Sequence, residues 1–129
     1  MARILLTEDD ESVRTFVKRA LELDGHEIIE AEDGGIALEI LLERQGSFDL
    51  LLSDIMMPVM DGIALALAAA RDFPALPILL MTGFADQRER AFGLDTLVSD
   101  VISKPFTLAE IRAAVDQALV SRSPFEKIA

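Results

Sequence analysis

Leu50-Leu51-Leu52-Ser53-Asp54 is the stretch of this 129-residue chain that says most about its architecture. An uninterrupted apolar run is typical of a parallel strand that is covered on both faces. Parallel strands need long crossover connections, usually helices, so helical patterns are expected on either side of the run. Asp54 closes the run at the end of the strand, where ligands bind in open α/β sheets.

Outward from this strand, short apolar runs alternate with helical patterns along the chain. The other strands are predicted at Ile4–Leu6, Glu27–Ala31, Ile78–Met81 and Val98–Ser103. Apolar residues spaced three and four apart predict the helices, and a more polar fourth helix is predicted over Ala85–Phe92. Five strands alternating with five helices predict an α/β fold, a five-stranded parallel sheet with helices on both faces. We expect one domain over residues 1–120 and a flexible tail over residues 121–129.

Composition argues against several classes of function. The chain has 23 acidic and 12 basic residues, which gives a formal net charge of −11. Such a chain, without a basic patch, attracts neither nucleic acid nor an anionic membrane. It has no cysteine, so disulfides, thiolate nucleophiles and cysteine-ligated metals are absent. Its apolar stretches are too short to cross a bilayer, and we expect a soluble protein of the reducing cytoplasm.

Chemically useful side chains follow four of the five predicted strands. Glu8 and Asp9 follow the first strand, Asp54 ends the third, Thr82 ends the fourth and Lys104 follows the fifth. Because the carboxyl ends of parallel strands share one edge, these side chains are expected to converge. Clustered carboxylates favour a cation among them, and their oxygens suit Mg²⁺. With an ammonium and a hydroxyl beside them, they predict phosphoryl transfer to a carboxylate.

Each of these residues also has an ordinary structural interpretation. Acids such as Glu8 and Asp9 favour a helix N-terminus, and an Asp that closes a strand is often a turn residue. A single lysine at a strand end is commonly solvated. The convergence of acids, a hydroxyl and an ammonium from four strands favours the functional interpretation, because packing does not require it.

The segment Ser53–Gly62 reads Ser-Asp-Ile-Met-Met-Pro-Val-Met-Asp-Gly and resembles the phosphorylation loop of response-regulator receiver domains. Glu8-Asp9, Thr82 and Ser103-Lys104-Pro105-Phe106 stand where that family has its other active-site elements. The resemblance covers about residues 2–120. It implies a flavodoxin-like (βα)5 fold with strand order 2-1-3-4-5.

The resemblance also implies a role for each matching residue. Asp54 would accept a phosphoryl group from a histidine kinase or a histidine phosphotransfer protein. Asp9, Asp54 and the Met56 backbone carbonyl would bind Mg²⁺ directly, and Glu8 would act through water. The threonine and lysine at the neighbouring strand ends would contact the phosphoryl oxygens. A receiver is consumed as a substrate of this transfer, so an enzyme that turns over is not expected.

Three residues depart from the family pattern, and one peptide bond is expected to follow it. Gly83 stands where Ala is frequent, which makes the loop after Thr82 more pliable. Glu8 stands where Asp is commoner, and its extra methylene lengthens the reach of the carboxylate. Val101 stands where many relatives carry a Tyr or Phe that relays phosphorylation to the output surface. The Lys104–Pro105 peptide bond is expected to be cis, as in relatives.

The segment Ala2–Gly35 is similar to a group of single-domain receivers called CpdR. Members of that group act as adaptors of the AAA+ protease ClpXP and are active when unphosphorylated, so the resemblance implies that protease or its substrates as partners. The predicted output surface holds Leu97, Val98, Val101, Arg88 and Arg90.

Two other classes of function compete with the adaptor role. One is a chemotaxis-type or phosphorelay receiver that binds a motor protein or a histidine phosphotransferase. The other is a phosphatase of the haloacid-dehalogenase type, which needs an Asp two residues after its nucleophile. Met56 occupies that position, which argues against the phosphatase.

Overall fold

Five parallel strands form one sheet in the computed structural model, which describes residues 2–83 and 98–128, with side chains as far as residue 120. The strands are β1 (Arg3–Thr7), β2 (Glu27–Ala31), β3 (Leu50–Asp54), β4 (Ile78–Thr82) and β5 (Asp100–Ser103). They lie in the order β2-β1-β3-β4-β5. The predicted fold class and strand order are confirmed. The last strand starts two residues later than predicted, because its ladder with β4 begins at the pair Leu79 and Asp100.

Four helices are present among the described residues. They are α1 (Glu11–Glu22), α2 (Gly34–Glu43), α3 (Gly62–Asp72) and α4 (Leu108–Ile128). The helix predicted over Ala85–Phe92 lies outside the described residues. In the part of the chain that is described, none of the helices combines the length and apolar character needed to span a membrane.

The last helix is longer than the sequence predicts. Its backbone continues to Ile128, past the expected boundary at residue 120 and through Pro124. Hydrophobic periodicity fades after residue 120, but adding a turn to an existing helix is easier than starting one. The irregular backbone expected for the tail is therefore not found over residues 121–128, and the flexibility of this segment stays a prediction.

Neighbouring leucines of the central strand point to opposite faces of the sheet. Leu51 packs in one buried cluster with α2 and α3, whereas Leu50 and Leu52 pack in a second cluster with α1 and α4. All five residues of β3 are buried, as are those of β4. The helices therefore cover both faces, and the apolar run that predicts a doubly covered strand is explained.

Capping side chains set where the helices begin. Asp10 accepts hydrogen bonds from the backbone N–H groups of Ser12 and Val13, which starts α1 directly after the acidic turn. Thr107 and Glu110 exchange hydrogen bonds at 2.9 and 3.1 Å, the capping box that the sequence predicts for the last helix. Each of these two helices therefore begins soon after the strand before it, α1 at Glu11 after Thr7 and α4 at Leu108 after Ser103.

The loop between β3 and α3 is held so closely that two glycines are needed. A Cβ at Gly62 would lie 2.1 Å from the carbonyl oxygen of Asp54, and one at Gly34 would lie 2.1 Å from that of Met60. The Gly62 N–H donates to the Ile55 carbonyl at 2.7 Å. The start of α3 is thereby fastened to the end of β3, and α2 supports the loop from the other side.

Candidate functional site

Three carboxylates meet at the carboxyl edge of the sheet, as the sequence predicts. Glu8 and Asp9 follow β1, and Asp54 is the last residue of β3, the strand beside it. One oxygen from each carboxylate lies within 4.8 Å of the others. Glu8 is fully buried, Asp54 is 6% exposed and Asp9 is exposed. The structure thus brings together the three acids proposed to hold a metal ion.

Lys104 joins this group from the end of β5, the outermost strand on that side of the sheet. Its Nζ lies 2.7 Å from Glu8 Oε1 and 2.9 Å from Asp54 Oδ1. Burial lowers the pKa of Lys104, but hydrogen bonds to Glu8 and Asp54 outweigh burial and raise that pKa above its usual value. The side chain is therefore a charged ammonium between two carboxylates. The Lys104–Pro105 bond is cis, as expected.

Thr82 and Met56 stand beside these groups. Thr82 is buried at the end of β4, and its carbonyl accepts a hydrogen bond from the Lys104 N–H at 2.7 Å. Its strand pairs with β3 so that Asp54 faces Met81, one residue before the threonine. Met56 is 55% exposed, on the loop that follows Asp54. The contact of the Met56 carbonyl with a metal stays a prediction.

The donor atoms fit a hard divalent cation. Within the described ranges, the second oxygen of Glu8, Oε2, is buried and has no hydrogen-bond partner. An unpartnered buried carboxylate oxygen is costly, and a cation among the acids would satisfy it. Three carboxylates and one ammonium carry a net charge of about −2, which a divalent ion balances. Glu8, Asp9 and Asp54 are thus suited to Mg²⁺.

Burial makes Glu8 an unusual carboxyl group. Loss of water contact raises its pKa, the hydrogen bond from Lys104 lowers it and the charge of Asp54 raises it again, so that the pKa is about 7 instead of 4.5. Between these two values the folded protein holds a proton that the unfolded chain has released. Stability in the absence of metal therefore falls as the pH rises through this window.

Mg²⁺ should reverse this loss, because the ion and the proton compete for the same carboxylate. We expect Mg²⁺ to raise the thermal unfolding midpoint more at about pH 8 than at about pH 5. Circular dichroism melts with and without Mg²⁺ measure the difference. Glu8→Gln is the control, since a neutral amide cannot titrate. An unchanged pH dependence in this variant would contradict the assignment to Glu8.

A second cluster of possible ligands lies near the opposite edge of the sheet. Asp24, His26 and Asp116 bring one ligand atom each within 4.8 Å of the others. Arg112 donates two hydrogen bonds to Asp24, which holds the pKa of that carboxyl below its usual value. The Ala2 N–H donates to His26 Nδ1 at 3.1 Å. Because two of the three side chains already have partners, this cluster is an ion-pair network rather than a candidate metal centre.

Comparisons with known proteins agree with this geometry. The family described as Response regulator receiver domain matches residues 4–116. The response regulator receiver protein CpdR of Brucella abortus (strain 2308) is 40% identical over 121 residues, which cover 94% of this chain and 99% of that protein. The transcriptional regulatory protein CpxR of Escherichia coli K12 is 37% identical, and the match covers 95% of this chain but only 51% of CpxR.

A solved structure of a similar receiver has the same fold and contains a bound ion. The response regulator TrrA of Thermotoga maritima, in complex with Mg²⁺ and BeF, has a TM-score of 0.82 and 28% identity. The match covers 92% of this chain and 99% of TrrA. The predicted resemblance to receivers, and to CpdR among them, is confirmed. With its strand order, its converging acids and these matches, the chain belongs to the response-regulator receiver family.

Proposed function

We propose that this chain is a phosphorylation-controlled protein-binding module in which Asp54 accepts a phosphoryl group from phosphohistidine. The observation that carries the proposal is the position of Lys104 Nζ, 2.7 and 2.9 Å from two carboxylates that also lie within 4.8 Å of Asp9. A solvated lysine or a simple helix cap explains none of these contacts.

In the proposed transfer, a carboxylate oxygen of Asp54 forms a bond to phosphorus while the bond from phosphorus to the donor's ring nitrogen breaks. The donor ring carries a proton on its other nitrogen, so it leaves as neutral imidazole, and no further reactant is needed. Lys104 and Thr82 would contact phosphoryl oxygens, where an ammonium and a hydroxyl stabilise the charge that is transferred. The product is an acyl phosphate on the protein itself, so the chain is a phosphoacceptor and not an enzyme that turns over.

Mg²⁺ would be held by Asp9, Asp54 and the Met56 carbonyl, with Glu8 reached through water. When bound, the ion would neutralise negative charge on the incoming phosphoryl group. The complex of TrrA with Mg²⁺ and BeF supports this assignment, because that receiver carries both groups in its solved structure.

A groove beside Lys104 suits a phosphohistidine donor, either a histidine kinase or a histidine phosphotransfer protein. Its surface is mostly apolar, and the rings of Phe16 and Phe106 lie 6.4 Å apart within it. It is lined by Ser12, Val13, Phe16, Gly83, Lys104, Pro105 and Phe106. An apolar groove next to the acceptor allows a partner to place its phosphohistidine over the acids.

For the output, the likeness to CpdR over 99% of that protein supports control of the AAA+ protease ClpXP in the cytoplasm. In this proposal the unphosphorylated form is the active adaptor, and phosphorylation of Asp54 switches it off. Neither nucleic acid nor a membrane is a partner, which agrees with the net charge of −11. Affinity capture with wild-type and Asp54→Ala baits tests the partner. Recovery of an unfoldase supports the adaptor role, and recovery of a motor protein or a phosphotransfer protein alone refutes it.

Intact-protein mass spectrometry tests the phosphoryl transfer. Incubation with acetyl phosphate and Mg²⁺ should add one phosphoryl group, and omission of Mg²⁺ should prevent the addition. Asp54→Asn should take up none, whereas Asp72→Asn, a change at a surface ion pair with Arg71, should behave as wild type. Equal uptake by Asp54→Asn and wild type would refute Asp54 as the acceptor.

A further inference from the structure

We propose that Arg14 is a positioning residue for the cation site, holding the backbone of the acidic turn in the place where Glu8 and Asp9 reach the ion. The inference rests on the proposed function, since it presumes that these acids bind Mg²⁺. Arg14 is neither a ligand nor a phosphoryl contact in the proposed mechanism.

The contacts of Arg14 join the acidic turn to the end of β2. Its Nη1 donates to the backbone carbonyl of Glu8 at 2.8 Å, and its Nε lies 3.3 Å from Glu30 Oε1. Only 13% of the Arg14 side chain is exposed. Charged side chains are rarely this buried unless they are paired, so these contacts account for its position.

Both backbone groups of Glu8 are therefore held by the end of the same strand. The Glu8 N–H donates to the carbonyl of Ala31 at 3.1 Å, and the Glu8 carbonyl is held by Glu30 through Arg14. That carbonyl belongs to the peptide group that leads into Asp9. Because Asp9 is exposed, the direction of its carboxylate depends on this peptide, and fixing the peptide pre-organises the ligand.

The geometry favours a guanidinium. Arg14 reaches the Glu8 carbonyl and Glu30 with two different nitrogen atoms of one rigid, planar group, whereas a lysine would have to bring its single nitrogen within reach of both acceptors at once. Lys18, one turn further along α1, provides the comparison, because its Nζ lies 3.2 Å from the other oxygen of Glu30. No contact joins Lys18 to the Glu8 carbonyl within the described residues, so Lys18 shares the partner of Arg14 but not its bond to the turn.

Coulomb attraction and positioning make opposite predictions here. Loss of a positive charge near an acidic site strengthens the attraction for a cation, so both Arg14→Met and Lys18→Met should tighten Mg²⁺ binding if charge alone matters. Positioning predicts the reverse for Arg14. Residues that orient metal ligands typically change metal affinity by at least about tenfold when they are removed.

Isothermal titration calorimetry of the full chain with MgCl₂, without a phosphodonor, tests the inference. We expect Arg14→Met to raise the Kd for Mg²⁺ by about tenfold and Lys18→Met to leave it within about twofold of wild type. Arg14→Lys keeps the charge and the helix, so it provides the test if Arg14→Met does not fold. It should also bind several-fold more weakly than wild type.

The outcomes separate this inference from the proposed function. Wild-type affinity in Arg14→Lys, or equal affinities in Arg14→Met and Lys18→Met, would overturn the positioning role alone. A wild-type protein that binds no Mg²⁺ would overturn the proposed function and the inference together. The positioning role is supported if only the Arg14 variants bind Mg²⁺ more weakly and if the NMR signal of the Asp9 amide shifts in these variants before any ion is added.

Discussion

Gly62→Ala should destabilise the fold by about 3 kcal/mol and prevent phosphorylation of Asp54 in the fraction that still folds. The added Cβ would lie 2.1 Å from the Asp54 carbonyl oxygen and 2.9 Å from the Ile55 Cα. Both are backbone atoms of β3, so neither can swing aside as the end of a side chain could. The strand that carries Asp54 has to move, or α3 has to separate from it.

Urea unfolding followed by circular dichroism measures the loss of stability, and mass spectrometry after incubation with acetyl phosphate measures the loss of acceptor function. Gly83→Ala is a matched control, because a Cβ there has no atom within 4 Å among residues 2–83 and 98–128. Its free energy of unfolding should stay within about 0.5 kcal/mol of wild type. If Gly62→Ala and Gly83→Ala unfold at the same urea concentration, the close approach of α3 to β3 is not what requires glycine.

Lys104→Met should abolish the response to phosphorylation and destabilise the metal-free protein by about 2 to 3 kcal/mol at neutral pH. From the sequence alone, a lysine at a strand end suggests a substitution that leaves stability unchanged. The structure changes that expectation, because the ammonium is hydrogen-bonded to a fully buried carboxylate, Glu8, and pairs with Asp54. Without the ammonium, the acidic groups of Glu8 and Asp54 face each other with no counter-charge, and one of them has to keep a proton or remain unpaired.

The loss of stability in Lys104→Met should depend on pH. The hydrogen bond from Lys104 lowers the pKa of Glu8 from the value that burial alone would impose, so its removal raises that pKa beyond about 7. The variant then keeps a proton to higher pH, and its stability relative to wild type falls as the pH rises. Urea unfolding at about pH 5 and pH 8 tests the difference. Lys104→Met combined with Glu8→Gln should recover most of the loss, and an equal loss at both pH values would refute this origin.

Much of the fold follows from local patterns. The limits of β2, Glu27–Ala31, are those that the sequence predicts, and Gly25 has the left-handed φ of 83° that its place after α1 requires. The strand order is different in kind, since no periodicity encodes which strands are neighbours. It was expected only from the resemblance to receivers, and the structure confirms it.

The candidate site also has features that the sequence predicts and features that it does not. Its acids and its lysine could be predicted because each stands at a strand end, and parallel strands end at one edge. What could not be predicted depends on distances between parts of the chain that are far apart in sequence. Lys104 and Glu8 are 96 positions apart, and the raised pKa of Glu8 results from burial that only the assembled sheet creates. The bond from Arg14 to a backbone carbonyl has no signal in the amino-acid sequence.

The hydrogen bond from the Lys104 N–H to the Thr82 carbonyl has a mechanical consequence for a receiver without an aromatic residue at Val101. It couples the hydroxyl-bearing residue to the ammonium-bearing residue, so neither can be displaced without displacing the other. Because β5 is the outermost strand on its side of the sheet, such a displacement moves the backbone at that edge of the sheet. A protein bound along that edge would then respond to an acyl phosphate on Asp54 through movement of the backbone, without rotation of an aromatic side chain.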